Sequence, residues 1–365
     1  MTIVHPRARE IVRTLEGYTP GGRIEDAKKQ VKRASVIKLA SNENALGPSP
    51  KALKALQREA KSLHRYPDAT CRSLRERLAK RLRVSPESII VGNGSDELIV
   101  LALRAFVDAG DEVVVAQPTF LIYELQARTS GAHVTVVPLK NYRYDLSAML
   151  QAVTPHTKLV FIANPDNPTG TYVTARELEA FLSRIPPEVI VFIDEAYYEF
   201  ADARDYPQTI GQVSQRPLIV SRTFSKAYGL AGLRVGYGIA QPEILAAMNA
   251  VREPFNVNSL AQAAAVAALE DAAFLTKTQR MVREGRKYLT IELDRLKVRH
   301  IPSLANFLLI ELGPGATDVA HALLKQGVMV REMTAWKLSG CIRATIGTPA
   351  ENRKFIAALK KCLTR

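Results

Sequence analysis

The chain has 365 residues, 47% of them hydrophobic, which is enough apolar surface for more than one domain. Its net charge of +14 is spread along the chain, and the densest basic stretch, residues 71–86, places its charges at helical spacing opposite a face of leucines. This pattern is typical of a solvated helix, and no stretch approaches about 18 apolar residues, so we expect no nucleic-acid partner and no membrane span.

Three cysteines, Cys71, Cys341 and Cys362, lie far apart, without the regular spacing of a disulfide framework or a zinc site. We therefore expect no bound metal and a reducing compartment. Residues 1–22 contain no uninterrupted apolar segment of the kind found in secretion signals. Together these features predict a soluble, cytoplasmic protein.

Short apolar runs alternate with helical patterns between about residues 88 and 240. The runs are rich in valine and isoleucine and are bounded by turn residues, which is typical of a mostly parallel sheet covered by helices on both faces. The run at 233–240 follows "PLIV" (217–220) too closely for a long crossover, so we expect it to add an antiparallel strand.

A second group of elements follows an alanine-rich helical region at residues 242–271. It contains apolar runs at 305–312, 327–333 and 341–349 and ends in a helical pattern at 350–363. Few strands with a terminal helix predict a smaller α+β domain.

Polar residues follow several of the apolar runs, at the strand ends where ligands gather in sheets of this kind. Asp194 ends the run "VIVFID", Tyr197 comes three residues later, and Asn167 lies in the proline-rich turn after "KLVFIA". The stretch "GNGSDE" (92–97) begins a helix through glycine, and free amides at such a helix start can bind an anion. Each feature alone fits a structural cap or a structural acid equally well.

The stretch "SRTFSKAY" (221–228) places hydroxyl groups around Lys226 directly after an apolar run. If these strand-end groups and Arg234 meet in one crevice, that crevice contains an amine, an acid, a phenol, an amide, an anion site and a guanidinium. This combination suits pyridoxal 5'-phosphate. The cofactor needs an amine for a Schiff base, an anionic partner for its pyridine nitrogen, donors to its phenolic oxygen and a cradle for its phosphate.

The chain resembles the fold-type I pyridoxal-phosphate aminotransferases, and within them the histidinol-phosphate aminotransferase subgroup. The resemblance rests on motifs that follow in order over nearly the whole chain: "IKLASNENALGPSP" (37–50), "HRYPD" (64–68), "VGNGSDE" (91–97), "QPTF" (117–120), "NPDNPTG" (164–170), "DEAYYEF" (194–200), "RTFSKAYGLAGLRVGY" (222–237) and "IRATIGTPAEN" (342–352). It implies an α/β fold and a homodimer. The large domain, residues 40–255, would hold a mostly parallel mixed sheet between helices. Residues 1–39, with an N-terminal arm, and 256–365 would form the smaller α+β domain.

The resemblance also implies a role for each residue that matches the cofactor site. Lys226 would form the Schiff base and act as general base and acid, Asp194 would keep the pyridine nitrogen protonated, and Phe120 would stack on the ring. Tyr197 and Asn167 would hold the phenolic oxygen. The cofactor phosphate would be held by Gly94, Ser95, Asp96, Thr223, Ser225 and Arg234, and by Tyr66 from the partner subunit.

On the substrate side, the resemblance assigns Arg343 to the α-carboxylate, a bidentate task suited to arginine, with Asn167 beside it. Tyr18 and Arg331 match positions that meet the substrate phosphate. The implied reaction transfers the amino group of histidinol phosphate to 2-oxoglutarate in histidine biosynthesis. A surface tyrosine and a solvated arginine are the alternative interpretation of Tyr18 and Arg331.

Departures from the subgroup's pattern leave other functions open. Phe120 stands where a tyrosine is common, and Asp166 replaces an asparagine and is expected to face away from the site. Glu332 and Trp336 would lie beside the substrate pocket, where an acid and an indole could favour an aromatic amino-acid donor. An aromatic amino-acid aminotransferase is therefore the first alternative, and a phosphothreonine decarboxylase is a more distant one. A non-catalytic regulator that senses pyridoxal phosphate is disfavoured, because residues 1–38 are too short for a DNA-binding domain.

Overall fold

The computed structural model describes residues 5, 7–15, 17, 21–31 and 35–363, so Tyr18 lies outside the described residues. The helices are α1 (Glu10–Thr14), α2 (Ile24–Val31), α3 (Pro50–Glu59), α4 (Arg72–Leu82), α5 (Ser95–Phe106), α6 (Ile122–Ser130), α7 (Leu146–Gln151), α8 (Ala175–Leu182), α9 (Pro242–Ala250), α10 (Ser259–Leu269), α11 (Ala272–Arg295), α12 (Ala316–Lys325) and α13 (Pro349–Leu363). The strands are β1 (Ile37–Leu39), β2 (Ile89–Gly92), β3 (Glu112–Gln117), β4 (His133–Pro138), β5 (Thr157–Ala163), β6 (Ile190–Asp194), β7 (Leu218–Thr223), β8 (Gly236–Ile239), β9 (Phe307–Glu311), β10 (Val328–Glu332) and β11 (Cys341–Thr345).

The large sheet runs in the order β2-β8-β7-β6-β5-β3-β4. Strands β3 to β7 pair in parallel, whereas β8 is antiparallel to both β7 and β2. Every residue of β6 is buried, which is typical of a strand in a sheet covered on both faces. The predicted mostly parallel mixed sheet and its added antiparallel strand are therefore confirmed.

The small sheet runs in the order β1-β10-β11-β9. Strand β1 pairs in parallel with β10, so residues 37–39 join a sheet whose other strands come from the C-terminal part of the chain. Strands β10 and β11 are antiparallel, and Arg331 lies directly opposite Arg343. The predicted smaller α+β unit is confirmed.

Helices α9, α10 and α11 connect the large sheet to the small sheet along the chain. Helix α10, which the prediction assigns to the small domain, packs against α3 and α4 of the predicted large domain. The proposed division after residue 255 stays a prediction. Helix α11 packs against α13. At Gly285, in α11, a Cβ would lie 2.5 Å from Cγ2 of Ile346, so only glycine lets the helix approach the segment that follows β11.

Within the described ranges, none of the helices is both long and apolar enough to cross a membrane. In the same part of the chain, no three histidine, cysteine, aspartate or glutamate side chains are grouped to hold a metal ion. Cys71 and Cys341 are buried free thiols, and Cys362 is a partly exposed one.

Candidate active site

A cavity of about 300 Å³ opens where the carboxyl ends of β5, β6 and β7 meet β10 and β11 of the small sheet. The predicted site residues that line it are Ser95, Asp96, Phe120, Asn167, Asp194, Tyr197, Thr223, Ser225, Lys226, Arg234, Arg331 and Arg343. Side chains that are distant in the sequence therefore meet at the strand ends, where the α/β pattern predicts a ligand site.

Lys226 follows β7 and lies inside this cavity, with its Nζ 5.9 Å from the centre of the Tyr197 ring. Burial, and secondly the positive charge of Arg343, lower the pKa of Lys226 from 10.5 to about 8. At pH 7 about one-tenth of the amine is then neutral, a far larger fraction than for an exposed lysine, and the neutral form is the one that acts as a nucleophile or a general base. The turn after it is tight, because Gly229 adopts a φ of +70° and a Cβ there would collide with the backbone of Gly47.

Asp194 is the last residue of β6 and presents a buried carboxylate to the cavity. Its Oδ2 accepts a hydrogen bond of 2.7 Å from the Tyr123 hydroxyl. Its Oδ1 accepts bonds of 3.0 Å from the Ala196 amide and 3.3 Å from the Ser221 hydroxyl. Burial raises the pKa of Asp194 to about 6, although these donors favour the charged form. The carboxylate is thus fixed in orientation and suited to a cationic partner.

The residues at the start of α5 form one side of an anion cradle. Helix α5 begins after Gly94, whose φ of +80° and missing Cβ leave room for the Arg234 guanidinium, since a Cβ would lie 2.6 Å from it. Arg234 also forms an ion pair of 3.1 Å with Asp96. Helix amides and a guanidinium together are the donor types that bind a phosphate.

The hydroxyls of Thr223 and Ser225 complete the cradle. The Thr223 hydroxyl donates to Oγ of Ser225 over 3.0 Å, and the Ser225 amide donates to Oγ1 of Thr223 over 3.1 Å. Both side chains are buried at the end of β7, three residues or fewer before Lys226. This donor set, beside a buried amine and a buried carboxylate, fits pyridoxal phosphate.

Tyr197 is anchored by Asn42, which lies 155 residues earlier in the chain. Nδ2 of Asn42 donates a hydrogen bond of 2.9 Å to the Tyr197 hydroxyl, and the Asn42 amide donates one of 2.9 Å to Oγ1 of Thr345 in β11. The backbone of Asn42 has a φ of 55°, which asparagine tolerates better than most residues. This link fixes the phenol between the two sheets.

Arg343 is almost fully buried at the substrate side of the cavity. Its Nη1 donates to Oδ1 of Asn167, and its Nη2 donates to the carbonyl of Ala40 over 3.2 Å. Arg331 lies opposite on β10, and directly paired residues of antiparallel strands present their side chains on the same face. Two guanidiniums therefore share one side of the cavity.

Phe120 lines the cavity and meets the Tyr123 ring edge-on, with ring centres 5.5 Å apart and an interplanar angle of 83°. Phe120 and Tyr123 therefore form an aromatic part of the cavity lining.

Two residues suspected from the sequence of shaping the pocket lie elsewhere. Trp336 is only 2% exposed and packs in a core cluster behind the arginines. Glu332 is exposed, because alternate residues of a strand face opposite sides and Arg331 faces the cavity. Neither is among the described residues that line the cavity, although the Trp336 ring contacts two residues that do.

Tyr66 also lies outside the cavity of its own chain. It is 82% exposed and stacks on Phe255, with ring centres 4.6 Å apart. An exposed tyrosine in this position is available to a second subunit, as its predicted role requires, and that role stays a prediction.

Sequence reasoning gave no role to Asn42 or Tyr123. Asn42 lies in a motif that carried the resemblance, and this was the available signal. Tyr123 is a single helical residue whose partner, Asp194, lies 71 residues away in the sequence, so no local pattern identified it. Further lining residues that were missed are Gly21, Ala40, Ser41, Glu43, Ile122, Ala163, Pro165, Ala196 and Ala231.

Comparisons with known proteins place these features in a family. Residues 34–359 match the family described as aminotransferase class I and II. The chain is 45% identical over 360 residues to a histidinol-phosphate aminotransferase of Moorella thermoacetica, with 98% of this chain and 93% of the relative covered. It is 44% identical to histidinol-phosphate aminotransferase 2 of Carboxydothermus hydrogenoformans, over 97% of this chain and 99% of the relative.

Among solved structures, the fold is similar to the crystal structure of histidinol-phosphate aminotransferase from Sinorhizobium meliloti in complex with pyridoxal-5'-phosphate. The TM-score is 0.90 and the sequence identity 30%, and the match covers 99% of this chain and 98% of that one.

Proposed function

This chain belongs to the class I and II aminotransferases, and we propose that it transfers the amino group of histidinol phosphate to 2-oxoglutarate, in histidine biosynthesis. It is a transferase, and its relatives carry the name of this reaction over nearly their whole lengths.

The observation that carries the substrate proposal is the pairing of Arg331 with Arg343 on one side of the cavity. Histidinol phosphate bears a phosphate ester on the carbon chain where an amino acid bears its carboxylate. A phosphate dianion has three terminal oxygens and can engage two guanidiniums, whereas a carboxylate is satisfied by one. Two arginines in register therefore support a phosphorylated donor.

Pyridoxal phosphate, when bound, supplies an aldehyde that captures the donor amine and a ring that withdraws electrons from it. We assign its phosphate to Thr223, Ser225, Arg234 and the first amides of α5, and its aldehyde to Lys226. The remaining contacts would come from Asp194 at the ring nitrogen, Tyr197 and Asn167 at the phenolic oxygen, and Phe120 on the ring face. The buried, directional donors around Asp194 support this assignment.

Lys226 is the residue that we assign to proton transfer. With a pKa of about 8, its Nζ can accept a proton from the donor's α-carbon and return it without a large free-energy cost on either side. Lys226 lines the same cavity as the two arginines. Arg331 and Arg343 would hold the anionic end of the substrate, so that this carbon faces Lys226.

The exposed Tyr66 supports a homodimer in which each subunit completes the phosphate site of the other. A biosynthetic enzyme of this kind fits a cytoplasmic location.

The proposal is tested with a panel of amino donors and 2-oxoglutarate. We expect kcat/KM to be at least about tenfold higher for histidinol phosphate than for histidinol, which differs only in lacking the phosphate, and higher than for phenylalanine or tyrosine. A higher kcat/KM for phenylalanine, with no advantage of histidinol phosphate over histidinol, would instead identify an aromatic amino-acid aminotransferase.

A further inference from the structure

Trp336 lies immediately behind the two arginines of the cavity and is the single tryptophan of the chain. The centre of its ring is 5.2 Å from Cζ of Arg331 and 5.6 Å from Cζ of Arg343. Both distances fall within the roughly 6 Å over which a guanidinium is attracted to an indole face. One aromatic ring therefore contacts both cations on the substrate side.

The indole of Trp336 is held in place by its own surroundings. The residue ends the 3₁₀ turn Thr334–Trp336, and its amide donates a hydrogen bond of 3.0 Å to the carbonyl of Met333. The side chain is 2% exposed and packs in a core cluster with Ile301, Leu309, Met333 and Cys341. A side chain packed this closely has little freedom, so the ring can act as a fixed surface for longer, more mobile side chains.

The two arginines depend on this surface to different degrees. Arg343 is 4% exposed and is also held by Asn167, by the carbonyl of Ala40 and by the Phe307 ring, whose centre is 5.2 Å from its Cζ. Arg331 is more exposed than Arg343, so a larger share of its side chain can move in solvent. Loss of the indole should therefore loosen Arg331 more than Arg343.

We propose that Trp336 is a positioning residue that holds Arg331 beside Arg343, so that the two guanidiniums bind one phosphate monoester. The inference rests on the proposed function and deepens it, because it names the residue that separates phosphorylated donors from carboxylate donors. A carboxylate needs only Arg343, which keeps its other contacts. A phosphate gains from both arginines only when Arg331 is fixed at the right distance.

The test compares Trp336→Met, which removes the ring but keeps an apolar side chain, with Trp336→Phe, which keeps a ring. In the holoenzyme, Trp336→Met should lower kcat/KM for histidinol phosphate at least about tenfold more than kcat/KM for phenylalanine. Trp336→Phe should retain most of the wild-type ratio. Met333→Leu, a change in the same core cluster, serves as the matched control and should leave the ratio unchanged.

A second measurement uses the wild-type holoenzyme and does not depend on the folding of any Trp336 variant. Since Trp336 is the only tryptophan, its fluorescence reports on this position alone. Titration with inorganic phosphate should change its emission saturably, whereas sodium chloride at equal ionic strength should not. Arg331→Ala should raise the phosphate concentration at half-saturation about tenfold or more.

Equal losses for both donors in Trp336→Met, or saturating phosphate that leaves the Trp336 emission unchanged, would overturn the inference. The proposed function fails separately, if the wild type prefers phenylalanine to histidinol phosphate. In that case the phosphate titration still decides whether Trp336 and Arg331 act together on a phosphate.

Discussion

The hydroxyl of Tyr123 donates a hydrogen bond of 2.7 Å to Oδ2 of Asp194, and these two buried residues both line the cavity. The Tyr123 ring stacks on Phe161 with centres 4.9 Å apart and an interplanar angle of 7°, which restricts the hydroxyl. Burial also raises the pKa of Tyr123 well above 10, so the phenol remains a donor at any working pH. The tyrosine thus orients the carboxylate without neutralising it.

Asp194→Ala should lower turnover by several orders of magnitude, with a smaller loss of cofactor affinity. The physical reason is the removal of one partner of a buried charge pair, which costs about 3 to 5 kcal/mol. Steady-state kinetics with saturating cofactor measures the first effect and equilibrium dialysis the second. Tyr123→Phe is the matched control: it keeps the charge and removes one hydrogen bond, so a loss of only about tenfold is expected. Near-normal turnover in Asp194→Ala would show that this acid is structural.

Borohydride reduction of the holoenzyme should attach the cofactor to the peptide that contains Lys226, and Lys226→Ala should abolish both the attachment and steady-state turnover. Because burial lowers the pKa of Lys226 to about 8, the amine becomes neutral at lower pH than an exposed lysine. The rate at which cofactor-free protein reacts with pyridoxal phosphate should therefore rise with pH and level off above about 8. For Nα-acetyl-lysine, the control with a free side-chain amine in water, the rate should continue to rise up to about pH 10. Peptide mapping that finds the label on another lysine would reject the assignment.

The sequence predicted the parts of the site that follow a local pattern. Asp194 was identifiable because it ends a strongly apolar run, and Thr223 because it follows one by three residues, since ligands meet the carboxyl ends of parallel strands. The links of Asn42 were not, because its partners Tyr197 and Thr345 lie 155 and 303 residues away, and which pairs meet is decided only by how the two sheets are placed.

The positions of Trp336 and Glu332 relative to the cavity also could not be predicted from the sequence. Strand alternation separates Arg331 from Glu332 in any register, but which of them faces the cavity depends on the pairing of β10 with β11. The sequence therefore suggested an indole beside the substrate, whereas the structure buries it behind the arginines.

Asp166→Asn should change how stability depends on pH. Asp166 is fully buried and accepts hydrogen bonds from Thr119 and Thr169, and burial raises its pKa from 3.8 to about 6. The folded protein then holds this proton more tightly than the unfolded chain, so the wild type loses stability as pH rises from about 4 through about 6. From pH 4.5 to 7.5, the free energy of unfolding of the variant should increase by about 2 kcal/mol relative to that of the wild type, at about 1.4 kcal/mol per pKa unit.

Urea unfolding of both proteins across this pH range measures the difference. A stability difference between Asp166→Asn and the wild type that stays constant with pH would mean that Asp166 is not a buried titrating group.

The proposed dimer predicts complementation between two inactive variants. If Tyr66 completes the partner subunit's phosphate site, a mixture of Lys226→Ala and Tyr66→Ala subunits should regain activity, because one site of each hybrid contains both native residues. The exposure of Tyr66, at 82%, is what makes it available to a partner. Subunit exchange is verified with differently tagged chains, and each variant alone is the control. No recovery despite proven exchange would place Tyr66 outside the neighbouring site.

The paired arginines should respond differently to the chemistry of the donor. Arg331→Ala removes one of two guanidiniums available to a phosphate, and a charge-assisted contact of this kind contributes about 1.5 to 3 kcal/mol, so kcat/KM for histidinol phosphate should fall about ten- to a hundredfold. The value for phenylalanine should fall much less, because Arg343 alone can hold a carboxylate in two hydrogen bonds. Arg343→Ala should lower kcat/KM for every amino acid and for 2-oxoglutarate alike, since all of them present a carboxylate to Arg343. Arg331→Lys is the informative control, because it keeps the charge but loses the planar fork and should recover only part of the phosphate preference. If Arg331→Ala reduces kcat/KM for both donors equally, Arg331 supports the cavity in general and the phosphate site must be sought elsewhere.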